Sequence, residues 1–293
     1  MFSKSLCLIS TSTDASQGTV SAPFLFSLYT ADCRITDELC PCVKVSVVQN
    51  KLQLNDDKTE ILLIGSAPGI DLPSSVHVGQ SDISFSSAAC NLGVIFDSEL
   101  ALKEQVNRLC QLAYLEIRRI SSIRQYLSVE ATKTLVSSLV LSGLGYCNAL
   151  LAGSPQVLLD KIQRVIKCSA RLIYKASKSA HFTPLLIDLH WLPISSRIQY
   201  KIALTCFHII SGSTAPPYLS KLLHLYSPSC SLCLASDIWI FRVLRVCRKT
   251  PCERSFQYTG PVIWNSLPFF VRHATSLSSF KSKLKTHRLS SAY

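Results

Sequence analysis

Three sets of residues have the types and spacing to do chemistry. The first is Asp56-Asp57, in the stretch "KLQLNDDKTEILLIG". Leu52 and Leu54 alternate with polar residues, Asn55-Asp56-Asp57-Lys58 is rich in turn formers, and "TEILLIG" has the composition of a buried strand. Two carboxylates at a hairpin tip are the arrangement in which a polymerase holds Mg²⁺. The same residues suit a plain turn, because Asn and Asp side chains bond to nearby backbone. The second set is Cys230-x-x-Cys233 with Cys247-x4-Cys252, four thiols near zinc spacing. Among 13 scattered cysteines such a quartet arises by chance, and Cys40 and Cys42 stand too close for a usual chelating pair, so no metal or cofactor is expected.

The third set is cationic. Residues 1–100 carry 5 Lys and Arg against 11 Asp and Glu, whereas residues 101–293 carry 25 against 7. The halves are therefore −6 and +18, within a total of +12. A basic excess of that size points to phosphate backbones or an acidic surface as partner. The candidate phosphate contacts are Arg118, Arg119, Arg124, Lys161, Arg164, Lys167, Arg171 and Lys175, followed by Lys281, Lys283 and Lys285. His181 and His190 flank "FTPLLIDLHWLP" with no nucleophile or carboxylate set beside them in sequence, which suits packing or capping. Walker, G-x-S-x-G and dinucleotide motifs are absent.

These residues need elements to hold them. The N-terminal hundred residues read as mixed α/β: a short apolar helix over Pro23–Arg34, strands at "VKVSVV" and "EILLIG", a hairpin around Gly79-Gln80, and one more strand at "NLGVIFD". From Ser98 the period becomes helical. Leu102, Val106, Leu109, Leu112, Ile117 and Ile120 recur at helical steps, Ser128 is a candidate N-cap, and "SPQVLLDKIQRVIKCSARLIYKA" is amphipathic with a basic face. Two further helices are expected at "ISSRIQYKIALTCFHIIS" and "SLSSFKSKLKTHRLSS", the last capped by Ser276 or Ser278. Between them "SDIWIFRVLRVCRK" alternates like an exposed strand, and "GPVIWNSLP" reads as a turn and short helix.

The uncharged run from Thr134 to Leu159 contains four Ser, three Gly, an Asn and a Pro, and lacks the apolar density of a membrane span. The apolar stretch Leu6 to Ile9 is too short for a secretory core. Reduced thiols in the nucleus or cytoplasm, and no membrane, are the expectation.

In order, the segments resemble the C-terminal half of a non-LTR (LINE-type) retrotransposon reverse transcriptase, from about Ser16 to Tyr293. "SQGTVSAPFLFSLYTADCR" is similar to the Pro-Gln-Gly motif and the palm helix after it, with Gln17 and Gly18 matching and Ser16 in place of Pro. "KLQLNDDKTEILLIG" is similar to the motif Leu-x-Leu-Asn-x-x-Lys-Thr-Glu, matching at Asn55 and Lys58, and "CNLGVIFD" to the primer grip, with its Leu92-Gly93 turn. "YCNALLAGSP", "LHWLPISSRIQYKI", "APPYLSKLL", "WNSLP" and "SLSSFKSKLKT" carry the likeness through the thumb and the segment after it.

The resemblance implies that Asp56-Asp57 is not the catalytic pair, since the first of these positions is variable in the family and often Pro. The family's metal-binding pair lies on an earlier hairpin, after a strand like "VKVSVV". Here Val45-Ser46-Val47-Val48 runs through Gln49-Asn50 straight into Lys51, without those carboxylates. The third metal carboxylate belongs upstream of the Pro-Gln-Gly motif, where Met1 leaves no room, and the fingers and endonuclease are expected to be missing too. Lys58, similar to a lysine near the incoming nucleotide, then has nothing to assist.

The expectation is an α+β chain: a truncated, mixed, palm-like sheet over about 1–97, a helical thumb-like region over 98–180 and a basic C-terminal segment over 181–293. Its function would be, at most, sequence-independent RNA or DNA binding without catalysis. A protein-interaction scaffold and an opportunistic metal site, formed by Asp56-Asp57 with Asp32 or Asp97, are the alternatives.

Overall fold

The computed structural model describes residues 6–11, 59–64, 75–78, 81–212, 217–226, 239–244 and 254–293. The fold class is α+β, with small sheets first and helices after them. The chain divides into two compact units, 1–107 and 108–293. The expected helix over Pro23–Arg34, the strand "VKVSVV", Gln17, Gly18, Asn55 and Lys58 lie outside the described residues, as do Asp32, Asp56-Asp57 and all four cysteines of the zinc-like quartet.

In the first unit, strand β1 (Leu6–Thr11) pairs antiparallel with β2 (Thr59–Ile64), from Leu6 opposite Ile64 to Thr11 opposite Thr59. β2 runs parallel to β4 (Ser81–Ser86), which pairs antiparallel with β3 (Ser75–Val78). The order is β1-β2-β4-β3, a mixed sheet. Ile61 and Leu62 are fully buried, as the near-continuous apolar run of β2 requires of a strand covered on both faces. The apolar stretch at Leu6 to Ile9 is thus a sheet strand.

"NLGVIFD" makes a hairpin rather than one strand. β5 (Ala88–Asn91) and β6 (Val94–Asp97) pair across Leu92-Gly93, with φ of +51° and +77°. Two successive positive φ values mark the two-residue turn whose twist matches that of paired strands. The turn sits where Asn91 and Gly93 supply the polarity and conformational freedom. The side chain of Gln105 accepts the Ile95 N–H at 2.9 Å, and an Asp97 carboxylate oxygen accepts the Leu102 N–H at 3.3 Å. These bonds tie β6 to the start of α1 (Lys103–Ile123).

The second unit is helical. After α1, Arg124–Tyr126 forms a 3₁₀ turn, and α2 (Val129–Leu135) starts at Ser128, whose hydroxyl accepts the Ala131 N–H at 3.1 Å. α2 widens into a π-helical stretch, Val136–Leu141, and closes with an α-turn, Ser142–Gly145. Along this stretch Val136, Val140, Leu141 and Leu144 are buried. The uncharged run Thr134–Leu159 is therefore a broken helix and turns, and among the described residues no helix is long and apolar enough to cross a membrane.

α3 (Gln156–Tyr174) buries Leu159, Ile162, Val165, Ile166, Ala170 and Ile173 along one side. A short α4 (Thr183–Asp188) leads to α5 (Ile194–Ser211), α6 (Pro217–Ser220), α7 (Phe256–Asn265), α8 (Phe269–Arg272) and α9 (Leu277–Ala292). Ser276 caps α9 by accepting the Ser279 N–H at 3.2 Å.

The core of this part is aromatic. Phe207 stacks on Phe280 with ring centres 4.3 Å apart, Trp264 lies 5.7 Å from Phe280, and Phe241 meets Trp264 edge-on at 6.0 Å. Such pairs add about 0.5–1.5 kcal/mol each beyond the area they bury. The Trp264 indole donates to the Trp239 carbonyl at 2.6 Å, and the Asn265 amide exchanges two bonds with the backbone of Phe241. "WNSLP" thereby stitches residues 239–241 onto α7. Of the expected strand in "SDIWIFRVLRVCRK", the described part makes one bridge, Leu225 to Phe241. The expected turn at Gly260-Pro261 is helical instead: Gly260 seats α7 closely on Cys206 of α5, and burial of Trp264 outweighs the helix bond Pro261 cannot donate.

Candidate nucleic-acid interface

α3 sorts its residues by face. Opposite the apolar side stand Lys161, Arg164, Lys167, Arg171 and Lys175, with Arg164 and Lys175 exposed and the other three half-buried. The helix ends with Lys175 in the left-handed region, φ +51°. The Ala176 N–H reaches back to the Arg171 carbonyl at 3.0 Å, and the Lys175 N–H to that of Leu172 at 3.4 Å. This is a Schellman closure with lysine where glycine is usual.

Arg124 completes that closure. It is 6% exposed, and its guanidinium donates to the carbonyls of Leu172 at 2.9 Å, Ile173 at 2.6 Å and Leu127 at 2.7 Å. A cation bonded to the last carbonyls of a helix complements its dipole as well as its orphan acceptors. Nominated as a phosphate contact, Arg124 has its donors committed to backbone.

Beyond α3, residues 175–182 fold back along the helix. The Arg171 guanidinium donates through Nε and Nη2 to the Ala180 carbonyl, at 3.3 and 3.0 Å. The Lys167 ammonium stands 3.7 Å from the centre of the Phe182 ring, a cation–π contact, and the His181 ring lies nearly parallel to Phe182 at 5.3 Å. Between this returning segment, α3 and the end of α1 is an open groove, lined by Ile117, Ser121 and Gln125 on one side and by Cys168, Arg171, Lys175 and Lys178 on the other. No acidic residue lines it. Asp188 and Glu130 instead gather at Tyr174, whose hydroxyl donates to Asp188; burial first, then these carboxylates, push the phenol up to about 12.

The other nominated cations are dispersed. Arg118 is exposed, and Arg119 is paired with Glu116 at 2.6 Å, a surface pair of small energetic worth. On α9, Lys281 and Lys285 are exposed, whereas Lys283 donates to the Phe270 carbonyl at 3.2 Å. Two-residue steps cannot keep three side chains on one side of a helix. Lys178 was not singled out from the sequence, because it lies past the end of the helical pattern in a Ser-rich loop. His181 stacks on Phe182 as described, and His190 contacts the Asp188 carbonyl at 3.1 Å.

Among the described residues no three His, Cys, Asp or Glu side chains are grouped to hold a metal ion. Asp97, one of the alternative metal ligands, directs a carboxylate oxygen to the Leu102 N–H. Comparison of the chain with protein-family models, curated proteins and solved structures finds no match.

Proposed function

We propose that the chain is a catalytically inactive remnant of a non-LTR retrotransposon reverse transcriptase, with a palm remnant over about 1–97, a thumb-like region over 98–180 and a basic C-terminal segment over 181–293, that at most binds RNA or DNA without regard to sequence. The observation that carries the binding half of this reading is the acid-free groove beside α3, where Arg171, Lys175 and Lys178 converge in a unit of net +18. Phosphate contacts of that kind give affinity without base readout. The reverse-transcriptase half rests on the motif order in the sequence, with Leu92-Gly93 as the turn of a short hairpin in keeping with it.

The test is binding of RNA and DNA oligonucleotides by the whole chain across a salt series, with circular dichroism on the same sample. A helical protein whose affinity falls steeply with salt is the expected result. Salt-independent binding, or none by a folded chain, would overturn it. Primer extension with Mg²⁺ or Mn²⁺ is expected to give no product, and extension above background would remove the word inactive.

A second reading, a protein-interaction scaffold, draws on the exposed apolar residues Leu112, Leu115 and Tyr126 at and beyond the solvent side of α1, Tyr126 being 81% exposed. Salt-insensitive capture of a protein partner would favour it.

A further inference from the structure

The groove beside α3 combines two features that a surface for duplex phosphates does not need together. One is the cationic lining. The other is a pair of parallel rings, His181 and Phe182, three and four residues past Lys178, the last residue of the returning segment to line the groove. His181 is exposed and Phe182 half-exposed, so part of the ring pair faces solvent. Arg171 links the two features. It lines the groove and, through the Ala180 carbonyl, fixes the residue just before His181. Lys167, from the same helix, fixes the residue just after His181 by its contact with the Phe182 ring. A two-residue aromatic step held by two cations of one helix is oriented with respect to the groove, although it lies in a loop.

We propose that this groove receives an unpaired nucleic-acid strand, with phosphates against Lys175, Lys178 and Arg171 and one base stacked on the His181–Phe182 step. This rests on the nucleic-acid reading above and narrows it. Within a duplex, bases already stack on one another and present only their edges, so the rings would have no π-face to meet. An unpaired strand offers a face at every nucleotide, which makes the contact indifferent to sequence. The groove and the rings then act on one ligand, the backbone along the lysines and the base on the rings.

The experiment uses the whole chain, a 20-nucleotide oligothymidylate, the matching oligouridylate and a blunt duplex of equal length, each measured over a salt series. His181→Ala and Phe182→Leu are compared with Lys175→Gln/Lys178→Gln. Single strands are expected to bind about tenfold tighter than duplex. Each ring variant should lose about tenfold on single strands and nothing on duplex, and Phe182→Leu should leave the salt slope unchanged. The lysine variant should flatten the salt slope for both. Equal affinity for strand and duplex, or ring variants that weaken both alike, would overturn the inference and leave phosphate binding standing. Salt-independent binding of every probe would remove both. Should circular dichroism show that Phe182→Leu unfolds, the exposed His181→Ala decides alone.

Discussion

Arg124 holds the end of α3 with three N–H directions, and without it the carbonyls of Leu127, Leu172 and Ile173 lose a buried donor. Arg124→Ala is expected to lower unfolding free energy by about 2–4 kcal/mol in urea titration, and lysine should rescue little, because one ammonium cannot reproduce a planar fork. A loss below about 1 kcal/mol would refute the capping role. Lys175 presents the opposite case. Its backbone is left-handed, so Lys175→Gly should raise stability by a few tenths to about 1 kcal/mol while removing one of the proposed phosphate contacts. Stability and affinity then move in opposite directions at a single position.

Tyr174 supplies a pH signature. Its folded pKa of about 12 exceeds the ordinary value near 10, so the unfolded chain gives up this proton first. The contribution is complete below pH 10 and is lost as pH rises to about 12. Tyr146, Tyr200 and Tyr293 are also raised by burial, so the whole protein's alkaline loss is shared. The difference between wild type and Tyr174→Phe across that window isolates this residue, and parallel curves would refute the assignment.

At the scale of elements, regular periods were legible and their interruptions were not. The alternation of β3 and β4, the apolar run of β2, the amphipathic α3 and the Ser128 cap all follow from spacing and residue type. By period alone "NLGVIFD" reads as one strand, because Leu92 carries no turn signal of its own; the Leu92-Gly93 turn enters the sequence reading only through the resemblance, and the pairing with Ala88–Asn91 shows it as a hairpin. Gly260-Pro261 reads as a turn from residue type alone, because Cys206, the neighbour against which Gly260 packs, is 54 residues away in sequence. The candidate groove was half legible. α3's cations recur with the helical period, but the returning loop depends on a bond from Arg171 to a carbonyl, which leaves no trace in residue type. Arg124 and Arg118 look alike as letters, yet one is buried against carbonyls and the other exposed. Gly153 tests a junction of the same hidden kind. It has φ +67°, and an added Cβ would stand 2.7 Å from Arg254 Cγ, whose guanidinium also contacts the Ala152 carbonyl and Ser154. Gly153→Ala should cost about 1–3 kcal/mol and lower the melting temperature, and an unchanged melting curve would show that Arg254 gives way freely.

For the whole molecule, charge is the dominant organising quantity, with an acidic first hundred residues and a basic remainder. If about four cations meet phosphates, single-strand affinity should fall roughly fiftyfold between 50 and 200 mM salt, and a slope nearer ten contacts would require the α9 lysines as well. The aromatic core has a further effect, on the order of events during synthesis. Phe207 of α5 is covered by Phe280 of α9, and the Trp191 carbonyl receives the Tyr293 hydroxyl from 102 residues away. At ordinary elongation speeds, on the order of 5–20 residues per second, the side of α5 that carries Phe207 waits several seconds for the helix that shields it. During that interval the nascent chain presents a sticky surface to chaperones and to its neighbours on the polysome, and the yield of folded protein depends on how fast ribosomes deliver the next seventy residues or so.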